Sequence, residues 1–225
     1  MAASHPLDFE VPRRIADEVT VHLEWAIVYG DVEEGTRLRE EDVSARYGVS
    51  RSPVREAFDS LVRDGLVTRL PRRGVSVPYL SRQDFFEIYA VRLSLEGQAA
   101  AEAASHHTEG DLDAMNRALA DMQGAAKADD VRAFFRANLA LSNAIYLATS
   151  NATLQRLLAI IEKQARRYRF VAFERRHNLI AKSIDGNRAI VATIAARDCD
   201  AAERTTRALI VNSRDELAGT FNDRT

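Results

Sequence analysis

The sequence predicts a mainly α-helical protein, an N-terminal winged helix-turn-helix followed by a C-terminal antiparallel all-helical bundle. Three observations carry that expectation. Between Leu38 and Arg73 two short helical stretches meet at Gly48, with Pro53 early in the second. Two β-prone runs then flank the tight turn Pro71-Arg72-Arg73-Gly74. Beyond Ser81 apolar residues recur at three- and four-residue steps, the mark of helices that each bury one face.

Residues 1–10 read as a flexible tail, 11–78 as the winged domain, 79–80 as a linker and 81–220 as the bundle. From Val11 to Tyr29, Ile15, Val19, Leu23, Ala26 and Ile27 share a helix face, and Gly30 ends the helix. Trp25 reads as a packing residue on that helix, with base stacking as the alternative. Glu40 to Tyr47 forms the first helix of the motif, Gly48 closes it, and Ser50 suits the N-cap of the next. Pro53 lies early enough in that helix to be tolerated. Val54, Ala57, Phe58, Leu61 and Val62 make its apolar face, while Arg51, Ser52 and Arg55 stand in its first turns. Gly65 stops the helix, Leu66 to Leu70 reads as a strand, and Val75-Ser76-Val77 as the returning strand of a basic hairpin. In the second half, segments 82–104, 109–127, 129–148, 151–173, 177–196 and 199–217 repeat the helical period with short connections, starting from Ser81 as N-cap.

Composition narrows the function classes. The chain has 225 residues, 46% of them hydrophobic, with a net charge of −2 and a single cysteine, Cys199. No apolar run is long enough for a membrane span, and no signal pattern opens the chain, so a cytoplasmic protein is expected. Between residues 46 and 73, seven arginines face three acidic residues. A compact basic patch on a mildly acidic body suits selective binding to DNA and argues against indiscriminate coating of nucleic acid.

The run Gly35-Thr36-Arg37-Leu38, then Val49-Ser50-Arg51-Ser52-Pro53-Val54-Arg55-Glu56-Ala57, Leu61, Asp64-Gly65-Leu66-Val67 and Arg73-Gly74 resembles the DNA-binding domain of the GntR family of bacterial transcription regulators. Further on, Ile88 to Glu96, Ala148 to Leu154 and Arg188 to Asp198 resemble the all-helical FCD effector domain of the FadR-like branch. The resemblance implies a DNA-binding face made by Arg51, Ser52, Pro53 and Arg55 of the recognition helix with Ser50 before it. Arg72, Arg73 and Gly74 belong to the wing, and Arg37 and Arg39 lie ahead of the motif.

Many members of that branch bind a divalent metal through an Asp and a His four residues apart, a second His and a third on the last helix. The matching positions here are Asn138, Ser142, Asn187 and Leu209. Neutral amides, a hydroxyl and an aliphatic side chain make a poor transition-metal set, so no metal and no other cofactor is expected. The five histidines, two of them at His106-His107, read as surface or cap residues rather than substitutes. Arg92 matches the family arginine that can hold an effector carboxylate, and Asn138, Ser142 and Asn187 would surround the same ligand with hydrogen-bonding groups. The alternatives are a buried Arg92–Glu96 ion pair and polar packing without a ligand. The basic run Lys163, Arg166, Arg167 and Arg169 reads as a solvated helix face, with contact to an acidic ligand such as a coenzyme A phosphate, or to DNA, as the alternative.

The resulting expectation is a homodimeric transcription regulator, a repressor by the family's usual sign, whose grip on a DNA operator responds to a small acidic metabolite. A dimeric regulator without an effector and a metal-dependent member of the same family are the alternatives. An enzyme is not expected, because no nucleophile motif, phosphate-binding glycine loop or carboxylate–histidine constellation is present.

Overall fold

A computed structural model describes residues 14–71, 73–219 and 221, which fall into two compact units meeting between Pro78 and Tyr79. The proposed tail, the expected helix start at Val11 and the wing residue Arg72 lie outside the described residues.

The first unit runs α1 (Ile15–Val28), β1 (Arg37–Leu38), α2 (Glu40–Tyr47), α3 (Arg51–Arg63), β2 (Thr68–Leu70) and β3 (Gly74–Ser76). Its core gathers Val19, Leu23 and Ile27 of α1, Val54, Phe58 and Leu61 of α3, and Val75 of β3. Ile15, placed on the inward face by its spacing, is exposed instead because it occupies the first position of the helix. Gly48 turns α2 into α3 in the left-handed conformation, and the Val49 N–H donates to the Ser44 carbonyl at 3.1 Å. Ser50 takes the N-cap position of α3, yet its side chain makes no capping hydrogen bond.

β2 is shorter than expected, since Leu66 and Val67 fall before it and are buried in the core, and β3 has the expected length but is shifted by one residue, running from Gly74 to Ser76. The sheet order is β1-β3-β2, all antiparallel, with Val75 opposite Leu38 on one side and Arg69 on the other. A two-residue strand has no period to read, which is why β1 escaped the pattern. Gly74 pairs with Leu70 at φ +84, and a Cβ there would collide with the Leu38 carbonyl oxygen. Its first role is therefore to let β1 close over the wing.

The second unit contains α4 (Arg82–His106), α5 (Glu109–Lys127), α6 (Val131–Leu147), α7 (Ala152–Arg175), α8 (Asn178–Ala195) and α9 (Cys199–Leu217). Ser81, Asp130, Asn151 and Asp198 each accept a hydrogen bond from a first-turn N–H, and Thr108 with Asp111 forms a capping box. These caps start five of the six helices, while α8 begins after His177 without a side-chain cap. Helix α4 packs mainly on α9, α5 on α6, and α8 on α9. The inward stripe of α4 is Phe85, Tyr89, Arg92, Glu96 and Ala103, while Val91, apolar in the sequence pattern, faces out. His107 takes the C-cap position of α4 and is buried, with Nδ1 2.9 Å from the Ala103 carbonyl oxygen. The expected domain end at residue 220 falls short, because Phe221 is buried against Phe85 and Tyr168 at centroid distances of 4.9 and 5.0 Å.

Gly74→Ala is expected to destabilise the first unit by more than about 1 kcal/mol, because both its φ and the Leu38 carbonyl oppose a side chain. Chemical denaturation of the full chain measures this, and an unchanged transition contradicts the close approach.

Candidate functional site

The outer face of the first unit carries its cations on a rigid frame. Helix α3 buries Val54, Ala57, Phe58 and Leu61, which turns Arg51 and Arg55 outward with side chains more than half exposed. Both are oriented by the acidic first turn of α2. Glu40 accepts from Arg55 Nε at 3.0 Å and from Nη2 at 2.8 Å, and Glu41 pairs with Arg51 at 3.0 Å. Ser52 is exposed and donates to Glu56 at 3.4 Å, Ser50 is exposed, and Pro53 is half-buried in the first turn of α3. Arg69 pairs with Asp59. A shallow concavity brings Arg37, Arg39, Arg51, Arg73 and Gly74 together with Glu40 and Glu41. The sequence reading missed those two glutamates as partners, although three consecutive acids at a helix start were there to be seen. Exposed ion pairs of this kind orient a side chain without fixing it, so the guanidinium groups stay available to another anion.

Within the second unit a cavity of about 670 Å³ opens among α4, α6, α7, α8 and α9. The four residues assigned to it from sequence, Arg92, Asn138, Ser142 and Asn187, all line it. Arg92 is buried and ion-paired with Glu96, Nε to Oε1 at 2.6 Å, and its guanidinium lies 4.7 Å from the Tyr89 ring centre. The ion pair and the position on the cavity wall thus coexist. Burial alone would lower the Arg92 pKa, but the charge and hydrogen bond of Glu96, together with the nearby Tyr89 and Tyr146 phenols, hold the group above its ordinary value.

The residue that organises the polar wall is Arg169. Its Nη2 donates to Asn138 Oδ1, and to Ser142 Oγ at 3.4 Å. Asn138 Nδ2 donates to Ser183 Oγ at 3.4 Å, and Asn187 Nδ2 donates to the same oxygen at 3.1 Å. Helices α6, α7 and α8 are joined through this chain of bonds.

The basic run is accordingly corrected: Arg167 and Arg169 are buried, and Arg166 is largely buried and held by Glu162 at 2.6 Å. The run lies on a helix whose inward face is itself charged, so a rule that equates charge with solvent fails there. Tyr146, also unanticipated, lines the cavity as a neutral phenol, its pKa pushed well above the usual value by burial. Among the described residues no group of three or more His, Cys, Asp or Glu side chains could hold a metal.

Residues 15–77 match the model of bacterial regulatory proteins of the gntR family, and residues 87–212 match the FCD domain. The uncharacterized HTH-type transcriptional regulator BphR of Paraburkholderia xenovorans (strain LB400) is 30% identical over 215 residues, covering 92% of this chain and 86% of its own. The HTH-type transcriptional repressor RspR of Escherichia coli (strain K12) is 31% identical over 188 residues, 79% and 78% of the two chains. The solved structure of E. coli McbR/YncC has the same fold, with a TM-score of 0.83 at 21% identity over 94% of this chain and all of that one.

A winged helix-turn-helix with an exposed basic recognition helix, joined to a helical domain with these relatives, defines a DNA-binding transcription regulator and not an enzyme. The chain belongs to the GntR family and carries an FCD domain behind its DNA-binding domain. Among its described residues no helix is long and apolar enough to cross a membrane.

The Arg55 hydrogen bond holds the Glu40 carboxyl below its ordinary value. A carboxylate depressed in this way stabilises the folded state above its unfolded pKa and loses that contribution as pH falls through the folded value. Arg55→Ala is therefore expected to raise the Glu40 pKa toward that of a free carboxyl in an NMR pH titration. An unmoved titration contradicts the pair.

Proposed function

We propose that the chain represses transcription in the cytoplasm as a homodimer on a near-palindromic operator, and that a small carboxylate bound in the helical cavity releases it. The observation that carries the effector half of this reading is the cavity of about 670 Å³ walled by Arg92 and by the amide and hydroxyl groups of Asn138, Ser142 and Asn187. Its size suits a metabolite, and fixed cations with convergent polar groups suit an organic acid. The sign of regulation is supported by relatives named as repressors, RspR and the gluconate operon repressor of Bacillus subtilis, the latter 45% identical over 78 residues, 32% of its length.

On DNA, Arg51 and Arg55 exchange their glutamate partners for base edges or phosphates in the major groove, with Ser50, Ser52 and Pro53 setting the approach of the helix. Arg72, Arg73 and Gly74 of the wing, together with Arg37 and Arg39, contact the flanking backbone. The effector acts by binding one arrangement of the dimer better than another, so its occupancy moves the population away from the operator-competent state.

Arg51→Ala and Arg55→Ala are each expected to weaken operator binding by about 1–3 kcal/mol per lost base contact in fluorescence anisotropy. Wild-type affinity in both variants overturns the recognition-helix assignment. Arg92→Gln, which keeps a hydrogen bond for Glu96, is expected to bind operator normally and to lose the response to carboxylate. A retained response removes Arg92 from the effector site.

A further inference from the structure

We infer that the guanidinium of Arg169 is the resident cation of the helical cavity, standing where the family pattern places a divalent metal, and that it directly holds the carboxylate of a small organic anion. The inference rests on reading the cavity as an effector site, and it names the group that makes that site work.

The side chains at the metal positions do not fit a metal. Asn138 Oδ1 and Ser142 Oγ, the two donors one helical turn apart on α6, both face the Arg169 Nη2 group. A divalent ion brought to those oxygens would meet a fixed positive charge. Asn187 spends its amide on Ser183, donating to the backbone oxygen at 2.8 Å and to Oγ at 3.1 Å. Leu209 has no donor, and it packs so closely over Gly186 that a Cβ on that glycine would lie 2.5 Å from Leu209 Cδ1.

What Arg169 lacks is an ion-pair partner, because the wall carboxylates Glu96 and Glu216 are paired with Arg92 and Lys182. Arg169 is 7% exposed, its bonded partners Asn138 and Ser142 are neutral, and among the described residues no carboxylate pairs with it. Its Nη1 is buried without a hydrogen-bond partner. Two further lining groups share that condition, the Tyr146 hydroxyl and Thr206 Oγ1, so three such atoms sit on this one cavity wall. The nearby Glu162 carboxylate attracts Arg169 but is hydrogen-bonded to Arg166. A buried guanidinium with no ion-pair partner of its own and a cluster of unmet donors are both costly, and a carboxylate relieves both at once. The planar fork of a guanidinium matches a planar carboxylate, and the cavity volume leaves room for the rest of an organic acid.

The test uses the full chain, stripped with chelator and dialysed. Isothermal titration with zinc and with cobalt(II), the latter also followed by its visible absorption, is expected to show no stoichiometric metal binding. Titration with acetate, succinate and D-gluconate as sodium salts, against sodium chloride as control, is expected to show metal-free binding of at least one of them. Arg169→Gln is expected to weaken that binding by about tenfold or more, as the loss of charge-assisted hydrogen bonds requires, with Arg169→Lys between the two.

Stoichiometric metal, carboxylate binding that needs metal, no carboxylate binding, or equal affinity in Arg169→Gln each overturns the inference. If Arg169→Gln does not fold, the two wild-type titrations still decide it. Carboxylate binding that depends on Arg169 but leaves operator affinity unchanged sustains this site and overturns the regulatory reading above.

Discussion

Arg169 brings a positive charge into a helical bundle, and the hydrogen bonds that begin at its guanidinium tie α6, α7 and α8 together. The guanidinium reaches Asn138 and Ser142 on α6, and Asn138 in turn shares Ser183 with Asn187 on α8. In water each of these groups would be solvated at no structural cost. Inside the bundle their bonds are specific in direction, so the polar wall sets the register of three helices while the apolar residues around it supply the bulk of the burial. A wall of this kind can be complete or incomplete, and here it is incomplete at Arg169 Nη1, the Tyr146 hydroxyl and Thr206 Oγ1. Each such group in a folded core is without a hydrogen-bond partner of its own, which costs stability.

Arg92 shows the contrasting solution on α4. Its charge is matched by Glu96 one helical turn along, and the Tyr89 ring covers it, so it is held in place without a ligand. On the cavity wall Arg92 and Lys182 are matched cations, paired with Glu96 and Glu216, and Arg169 has only neutral hydrogen-bond partners. In the DNA-binding unit a third arrangement appears. Arg51 and Arg55 are paired with Glu41 and Glu40 at the surface, where water screens the pairs and exchange for phosphate is inexpensive. Similar residues thus serve three purposes according to burial.

The fold was legible where chemistry repeats. The period of Val19, Leu23 and Ile27, the glycine at position 48 and the capping residues Ser81, Asn151 and Asp198 each signal their element within a few residues of its true limit. β1 was not legible, because Arg37 and Leu38 join the sheet only through the neighbouring β3, a pairing that no local pattern records. The site was half legible. Arg92, Asn138, Ser142 and Asn187 could be placed by family position, but Arg169 could not, since a run of four cations on one helix looks like a solvent face until tertiary packing buries two of them. The signal that was available is the helical spacing itself: Ile161, Ala165 and Arg169 fall one turn apart, which puts the arginine on an apolar stripe. Gly74 illustrates the reverse case, a residue assigned to the wing by its motif whose geometry is demanded by a contact with Leu38.

Regulation by an effector requires that occupancy of the cavity reach DNA. The direct measurement is an anisotropy titration of the metal-free chain against an operator duplex selected from random DNA by the protein itself, with and without a saturating concentration of a carboxylate that binds the bundle. The account predicts operator affinity lower by about 5- to 150-fold in the presence of the carboxylate, the range of ordinary coupling between two sites. Identical affinity with the cavity filled and with it empty would contradict it.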